Sequence, residues 1–204
     1  MGYLRSDIYN WVPISIPEIH DIFSEIPIHW CIAGGWALDL HLGKQTRKHS
    51  DVDIAITREQ HLLAYQYLNQ DWVLYKAEEG KLTLWQDQEY LHTTNDIWVS
   101  RSKDAPFVFQ LMLLNTEGTT WKYNRNHLIT RPVDELFLKT KEEIPYMRPE
   151  IQLLYKGGAS QVREKDYLDF QTVLPSLSPK EKAWLKSSLN LQYPEGHDWI
   201  SALK

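Results

Sequence analysis

The stretch IAGGWALDLHLGKQTRKHSDVDIAI, residues 32–56, decides how the chain is read. IHWCIA (28–33) is a compact apolar run, a strand by its length and composition. Gly34-Gly35 breaks it, and WALDLHLG (36–43) reads as a short helix closed by Gly43. KQTRKHS (44–50) is a basic loop. DVDIAI (51–56) alternates, with Val52, Ile54 and Ile56 on one side, and is a second strand. Strand, Gly-Gly and helix make a tight turn whose backbone N–H groups sit near a helix N-terminus, where phosphate is favoured. Sixteen residues after Gly35 comes Asp51, and then Asp53. Residues two apart on a strand point to the same side, about 6–7 Å apart by strand rise. Two carboxylates so placed repel each other unless a cation lies between them. Oxygen donors of this kind suit Mg²⁺, which binds one or two carboxylates together with substrate phosphates. Lys44, Arg47 and Lys48 in the loop can reach phosphate oxygens, and Ser50 can hydrogen-bond one.

These residues carry a resemblance. Gly34-Gly35 followed by Asp51-Val52-Asp53 resembles the signature of the nucleotidyltransferase superfamily with the DNA-polymerase-β-like core. Trp36, Asp39, Gly43, Thr46, Arg47 and His49 extend the likeness to the aminoglycoside and lincosamide nucleotidyltransferases. The match covers about 25 residues, near an eighth of the chain. PEIQLLYKGG and REKDYLDF, further on, resemble a segment of bacterial members of that group.

The resemblance implies Mg²⁺-dependent transfer of a nucleoside monophosphate, AMP from ATP, to a hydroxyl of a small acceptor such as an aminoglycoside or lincosamide antibiotic. It implies Asp51 and Asp53 as metal ligands and catalytic residues. It implies Gly34 and Gly35 as the triphosphate cradle; Trp36, Arg47, Ser50 and Lys156 join them as nucleotide-binding residues by their chemistry and place in the chain. The family usually adds a third carboxylate on a nearby strand. FVFQLML (107–113) looks equivalent, and the position falls on Gln110, whose neutral amide takes no proton. Asp96 is the substitute base, and Glu117 a weaker one. Gln110 also leaves open a nucleotide-binding or regulatory module with weakened catalysis. A toxin-like enzyme acting on RNA or protein would share the same core.

Several of these residues have structural readings beside the functional one. Trp36 serves core packing or a nucleobase platform. Asp39 caps the helix or pairs with Arg47. His49 is a structural hydrogen-bonder. Lys156 neutralises triphosphate charge or lies on a solvated helix face, beside a Lys165–Asp169 pair. Trp121, Tyr123 and Arg125 wall an acceptor pocket or pack the sheet edge. Cys31 is buried and inert.

The 204 residues fit one domain, or one domain with a helical appendage. A hydrophobic share of 43% and a charged share of 24% exclude collagen, coiled coil and disorder. A net charge of −5 argues against a dedicated nucleic-acid partner. One cysteine, no leader-like start and no long apolar run point to the cytoplasm and away from a membrane. A monomer and a homodimer are both compatible with these observations. Nine Trp and eleven Tyr supply large flat side chains for core or pocket.

Helices are expected at 17–25, 58–69, from Pro149 to Gly157-Gly158, at 162–174 and at 178–192. Strands are expected at WVLYKA, KLTLW, DIWVS, FVFQLMLL and TWKY, with turns at Glu79-Gly80, Thr93–Asn95 and Glu117-Gly118. The fold class is α+β (α/β): a mixed-sheet core with flanking helices over 1–145, and a helical C-terminal subdomain over 146–204.

Overall fold

A computed structural model describes residues 4–78 and 80–204, so Glu79 of the expected turn lies outside it. In chain order the elements are β1 (Leu4–Arg5), α1 (Ile16–Ser24), β2 (Trp30–Ala33), α2 (Gly34–Leu42), β3 (Asp53–Thr57), α3 (His61–Leu68), β4 (Val73–Glu78), β5 (Lys81–Leu84), β6 (Asp96–Ser100) and β7 (Phe107–Glu117). There follow β8 (Thr120–Lys122), β9 (Thr130–Pro132), β10 (Phe137–Lys139), β11 (Pro145–Met147), α4 (Pro149–Gly157), α5 (Glu164–Val173) and α6 (Pro179–Gln192). The described residues fall into two compact units, each discontinuous in sequence. One runs up to Ile32 and resumes over Lys48–Asn115; the other joins Ala33–Arg47 to Thr116–Lys204.

The first unit is built on a mixed sheet of order β1-β5-β4-β6-β7-β3-β2. β3 and β7 run parallel, while β4 pairs antiparallel with β5 and β6, and β6 with β7. Ile54, Ile97, Val99, Phe109 and Leu111 are fully buried on one face. α1 is set by a capping box: the Glu18 N–H donates to Ser15 Oγ at 3.4 Å, and the Ser15 N–H to Glu18 Oε2 at 2.9 Å. Its Ile19 and Phe23 are also fully buried. The mixed sheet with flanking helices is the fold class expected from the sequence.

In the second unit α2 packs against α4 and α5, and α4 against α6. β10 pairs with β11 and β8 with β9, both antiparallel. α6 carries a complete capping box between Ser178 and Glu181. Trp121 and Tyr123 are fully buried here, so the packing reading holds for both rather than an acceptor wall. Exposed Arg125 donates to Tyr123 Oη at 3.0 Å and to the Tyr155 carbonyl at 2.7 Å.

Two boundaries differ from expectation. α2 starts at Gly34 rather than after the glycine pair, because Gly34 itself turns the chain with φ of 66°. β3 starts at Asp53, so Asp51 leads into the strand instead of lying within it. The ladder with β7 opens at Val52, whose carbonyl accepts the Gln110 N–H at 2.8 Å.

Candidate active site

Asp53, Gln110 and Asp96 converge within the first unit. Parallel register sets Asp53 opposite Gln110, and antiparallel register sets Gln110 opposite Trp98. Register mates share a face, and Asp96 lies two residues before Trp98 on β6. Asp53, Gln110 and Asp96 therefore stand on one face of the sheet. Ile54, Leu111 and Ile97, one residue along on each strand, are buried on the other. Gln110 Nε2 donates to Asp96 Oδ1 at 2.7 Å, so side chains on β6 and β7 are physically joined. Val52 is buried between half-buried Asp51 and Asp53, which continues the alternation back to Asp51.

The approach to Asp96 is braced. The Arg58 guanidinium donates to the carbonyls of Leu91 (2.8 Å) and Thr94 (2.6 Å) and to Asn95 Oδ1 (2.6 Å). It also reaches Asn115 Oδ1 at 2.6 Å. The Leu113 N–H holds the Asn95 carbonyl at 2.8 Å. His61 adds a second brace. Its Nε2 accepts the Leu91 N–H at 3.0 Å, and its Nδ1 meets the Arg58 carbonyl. Sequence reasoning missed both braces, because neither residue type is diagnostic without its partners. A cavity of about 520 Å³ opens at these strand ends, lined by Glu78, Lys81, Thr93, Thr94, Asn95 and Asp96 among others.

The other expected residues are placed as follows. Ser50 is exposed and His49 is buried. In the second unit, the Gly34 N–H donates to Gln152 Oε1 at 2.8 Å, while Gly35 is half-buried in the first turn of α2. Trp36 lines a cavity of about 680 Å³ with Lys44, Lys139 and Lys141. Asp39 accepts from the Thr46 N–H at 3.1 Å and from its hydroxyl at 2.6 Å, tying down the start of the basic loop. Arg47 grips Asp169 with two hydrogen bonds of 2.8 Å. Lys156 is buried, 3.0 Å from Asp166 and 2.8 Å from Asp169. Asp169 therefore pairs with Arg47 and Lys156, where the sequence suggested Lys165. Exposed Glu117 is bridged to Lys122. Cys31 is fully buried, and burial pushes its thiol pKa up.

Comparison with known proteins fits this geometry. The aminoglycoside-2''-adenylyltransferase family model matches residues 15–89, which include Gly34, Gly35, Asp51 and Asp53. A lincosamide resistance protein of Staphylococcus haemolyticus is 26% identical over 159 residues, spanning 76% of this chain and 89% of that protein. The lincomycin-bound lincosamide antibiotic adenylyltransferase LnuA aligns with a TM-score of 0.55 and 19% identity, over 80% of this chain and 97% of its own. This chain has a nucleotidyltransferase fold and resembles the antibiotic-modifying nucleotidyltransferases. ANT(2'')-Ia in complex with adenylyl-2''-tobramycin aligns with a TM-score of 0.54 and 14% identity, over 85% of this chain and 95% of its own. The enzyme class read from the sequence agrees with these relatives. No helix among the described residues is long and apolar enough to cross a membrane.

Proposed function

We propose that the chain transfers AMP from ATP to a hydroxyl of a small acceptor, an aminoglycoside or lincosamide antibiotic, in a Mg²⁺-dependent reaction. The observation that carries this is the shared face of Asp53, Gln110 and Asp96, with Asp51 leading into it. Among the described residues no group of three or more His, Cys, Asp or Glu side chains gathers to hold a metal. A pair of half-buried carboxylates fits a hard cation that keeps water and phosphate oxygens as its other ligands. Asp51 and Asp53 would hold it, and when bound it offsets charge on the phosphate oxygens.

Asp96 accepts the proton of the acceptor hydroxyl. The hydroxyl oxygen forms a bond to the α-phosphorus, the α–β bridging P–O bond breaks, and pyrophosphate leaves with the electron pair. Gly34 and Gly35 are proposed as the triphosphate cradle on the strength of the resemblance, and Trp36, Arg47, Ser50 and Lys156 as further nucleotide-binding residues by their chemistry. A carboxylate already tied to Gln110 supports an active enzyme over a binding module that has lost its base.

The test incubates the protein with each labelled nucleoside triphosphate, Mg²⁺ and a panel of aminoglycosides and lincosamides. Pyrophosphate release that needs both metal and one acceptor is expected, with ATP the preferred donor. Triphosphate binding in a calorimeter without turnover on any acceptor would sink the proposal.

A further inference from the structure

Arg58 follows β3 directly and opens a short 3₁₀ turn; His61, three residues on, is the first residue of α3. The Arg58 guanidinium makes four hydrogen bonds, to the carbonyls of Leu91 and Thr94 and to the side-chain oxygens of Asn95 and Asn115. None of these acceptors is a carboxylate. Drawing a charge half out of water toward neutral partners is unfavourable beside an apolar side chain of similar size. Stability alone is therefore a poor reason for an arginine at this position. We propose that Arg58 is a positioning residue for the transfer reaction, fixing the wall of the cavity at the strand ends against which the acceptor lies. The inference rests on the nucleotidyltransferase reading given above.

What the side chain joins argues for this role. β3 opens with Asp53 and ends one residue before Arg58. Asn115 belongs to β7, the strand of Gln110. Leu91, Thr94 and Asn95 lead into β6, which opens with Asp96. One planar group thus links the three strands whose residues converge on the candidate face. Residues 85–95 form neither helix nor strand, so their shape depends on bonds of this kind. The Leu91 peptide is gripped from both sides: His61 Nε2 accepts its N–H at 3.0 Å, and Arg58 donates to its carbonyl at 2.8 Å. Beyond it, Thr93, Thr94 and Asn95 line the cavity of about 520 Å³ together with Asp96, Glu78 and Lys81. That volume lies within the roughly 300–1,000 Å³ of small-molecule sites. The segment has other ties. The hydroxyls of Thr93 and Thr94 donate to Glu78 Oε1, and the Leu113 N–H donates to the Asn95 carbonyl. Arg58 spans the segment from Leu91 to Asn95, which takes an array of donors in a fixed plane; a lysine ammonium is a point charge and lacks that array. It acts on this segment and leaves the Asp96 carboxylate to its own partners.

The experiment compares wild type, Arg58→Ala and Arg58→Lys on the aminoglycoside or lincosamide that the wild type adenylylates best. The kcat, the KM for that acceptor, the KM for ATP and the thermal midpoint are measured for each, with hydrogen exchange of residues 91–96. Both variants lower kcat/KM for the acceptor by about tenfold or more, with the KM for ATP within about twofold, because a displaced wall misplaces the acceptor and leaves the nucleotide as it was. Exchange of residues 91–96 quickens in both. Arg58→Lys keeps the charge and the stem, and stands in for Arg58→Ala should the latter fail to melt cooperatively. A lowered thermal midpoint with unchanged kinetics makes Arg58 merely structural and overturns the inference. So does a KM for ATP that rises in step with the loss on the acceptor, an Arg58→Lys as active as wild type, or exchange that does not change. A wild type that turns over no acceptor overturns the reading beneath, and the inference with it, so the wild-type control tells the two failures apart.

Discussion

Lys156 shows what a residue's identity does and does not reveal. Its charge and its place near the end of a helix suggested a triphosphate contact. What they do not reveal is that the ammonium group is 6% exposed, set between Asp166 and Asp169, with Arg47 and Arg163 completing the cluster. Burial raises the pKa of Asp169, but hydrogen bonds from Arg47 and Lys156 outweigh it and hold the carboxyl below its usual range. The sequence shows five charges; it does not show that Arg47 finds a partner 122 residues away. Removing the Asp169 charge takes one of two carboxylates from buried Lys156 and the partner of both Arg47 hydrogen bonds, so Asp169→Asn should destabilise by about 3–5 kcal/mol in chemical denaturation. A loss below about 1 kcal/mol would place this cluster among ordinary surface pairs. Asp51 and Asp53 stand out in the sequence for the opposite reason. Their spacing, and the Gly-Gly pair before them, is local chemistry written in consecutive residues. Asp51→Asn and Asp53→Asn should each lower kcat on the order of a thousandfold while the fold melts near the wild-type temperature. Turnover within about tenfold of wild type would remove the pair from the reaction.

At the scale of elements, helices were readable where their ends carry chemistry. Ser178-Pro179 with Glu181 foretold α6, and both capping bonds are present, at 2.8 Å from the Ser178 N–H and 3.3 Å to its Oγ. Ser178→Ala should cost about 1 kcal/mol, read as a shift of the denaturation midpoint with an unchanged slope. Strands with a buried centre were readable too, because β4, β6 and β7 each carry at least three consecutive apolar residues rich in β-branched or aromatic side chains. β9, β10 and β11 escaped because three residues each, with Pro132 and Pro145 among them, leave no period to detect. The glycine pair that ends α4 was read only as a stop signal. Its first member has a packing reason as well: a methyl added at Gly157 would lie 2.7 Å from Trp199 Cζ3. Trp199 is itself stacked on Phe170 at 4.2 Å, so it has little room to withdraw. Gly157→Ala should therefore destabilise by about 1–3 kcal/mol, although alanine is the better helix former. A neutral or stabilising result in the same melts would show that Trp199 gives way.

The membership of whole units was not legible, since residues 33–47 join a body whose remainder begins at Thr116. Such closures depend on long-range contacts that no local pattern encodes. One property of the whole molecule does follow from its buried imidazoles. Burial lowers the pKa of His61 below the ordinary 6.5, and the same cause lowers His41 and His197. His61 must be neutral to accept the Leu91 N–H on Nε2. With the folded value depressed, the unfolded chain binds more protons once the pH falls below about 6.5, so stability rises with pH across that window. The paired carboxylates of Asp166 and Asp169 act lower down. Their contribution is present above the ordinary carboxylate pKa and is lost as pH falls through the depressed folded values. Between about pH 7.5 and 5.5 the decline in unfolding free energy therefore belongs to the histidines. Urea melts across that range should show it, and His61→Leu should be less stable at pH 7.5 yet lose less on acidification. A wild-type stability that is flat or rising on acidification from 7.5 to 5.5 would mean that the imidazoles accept their protons without disturbing the packed state.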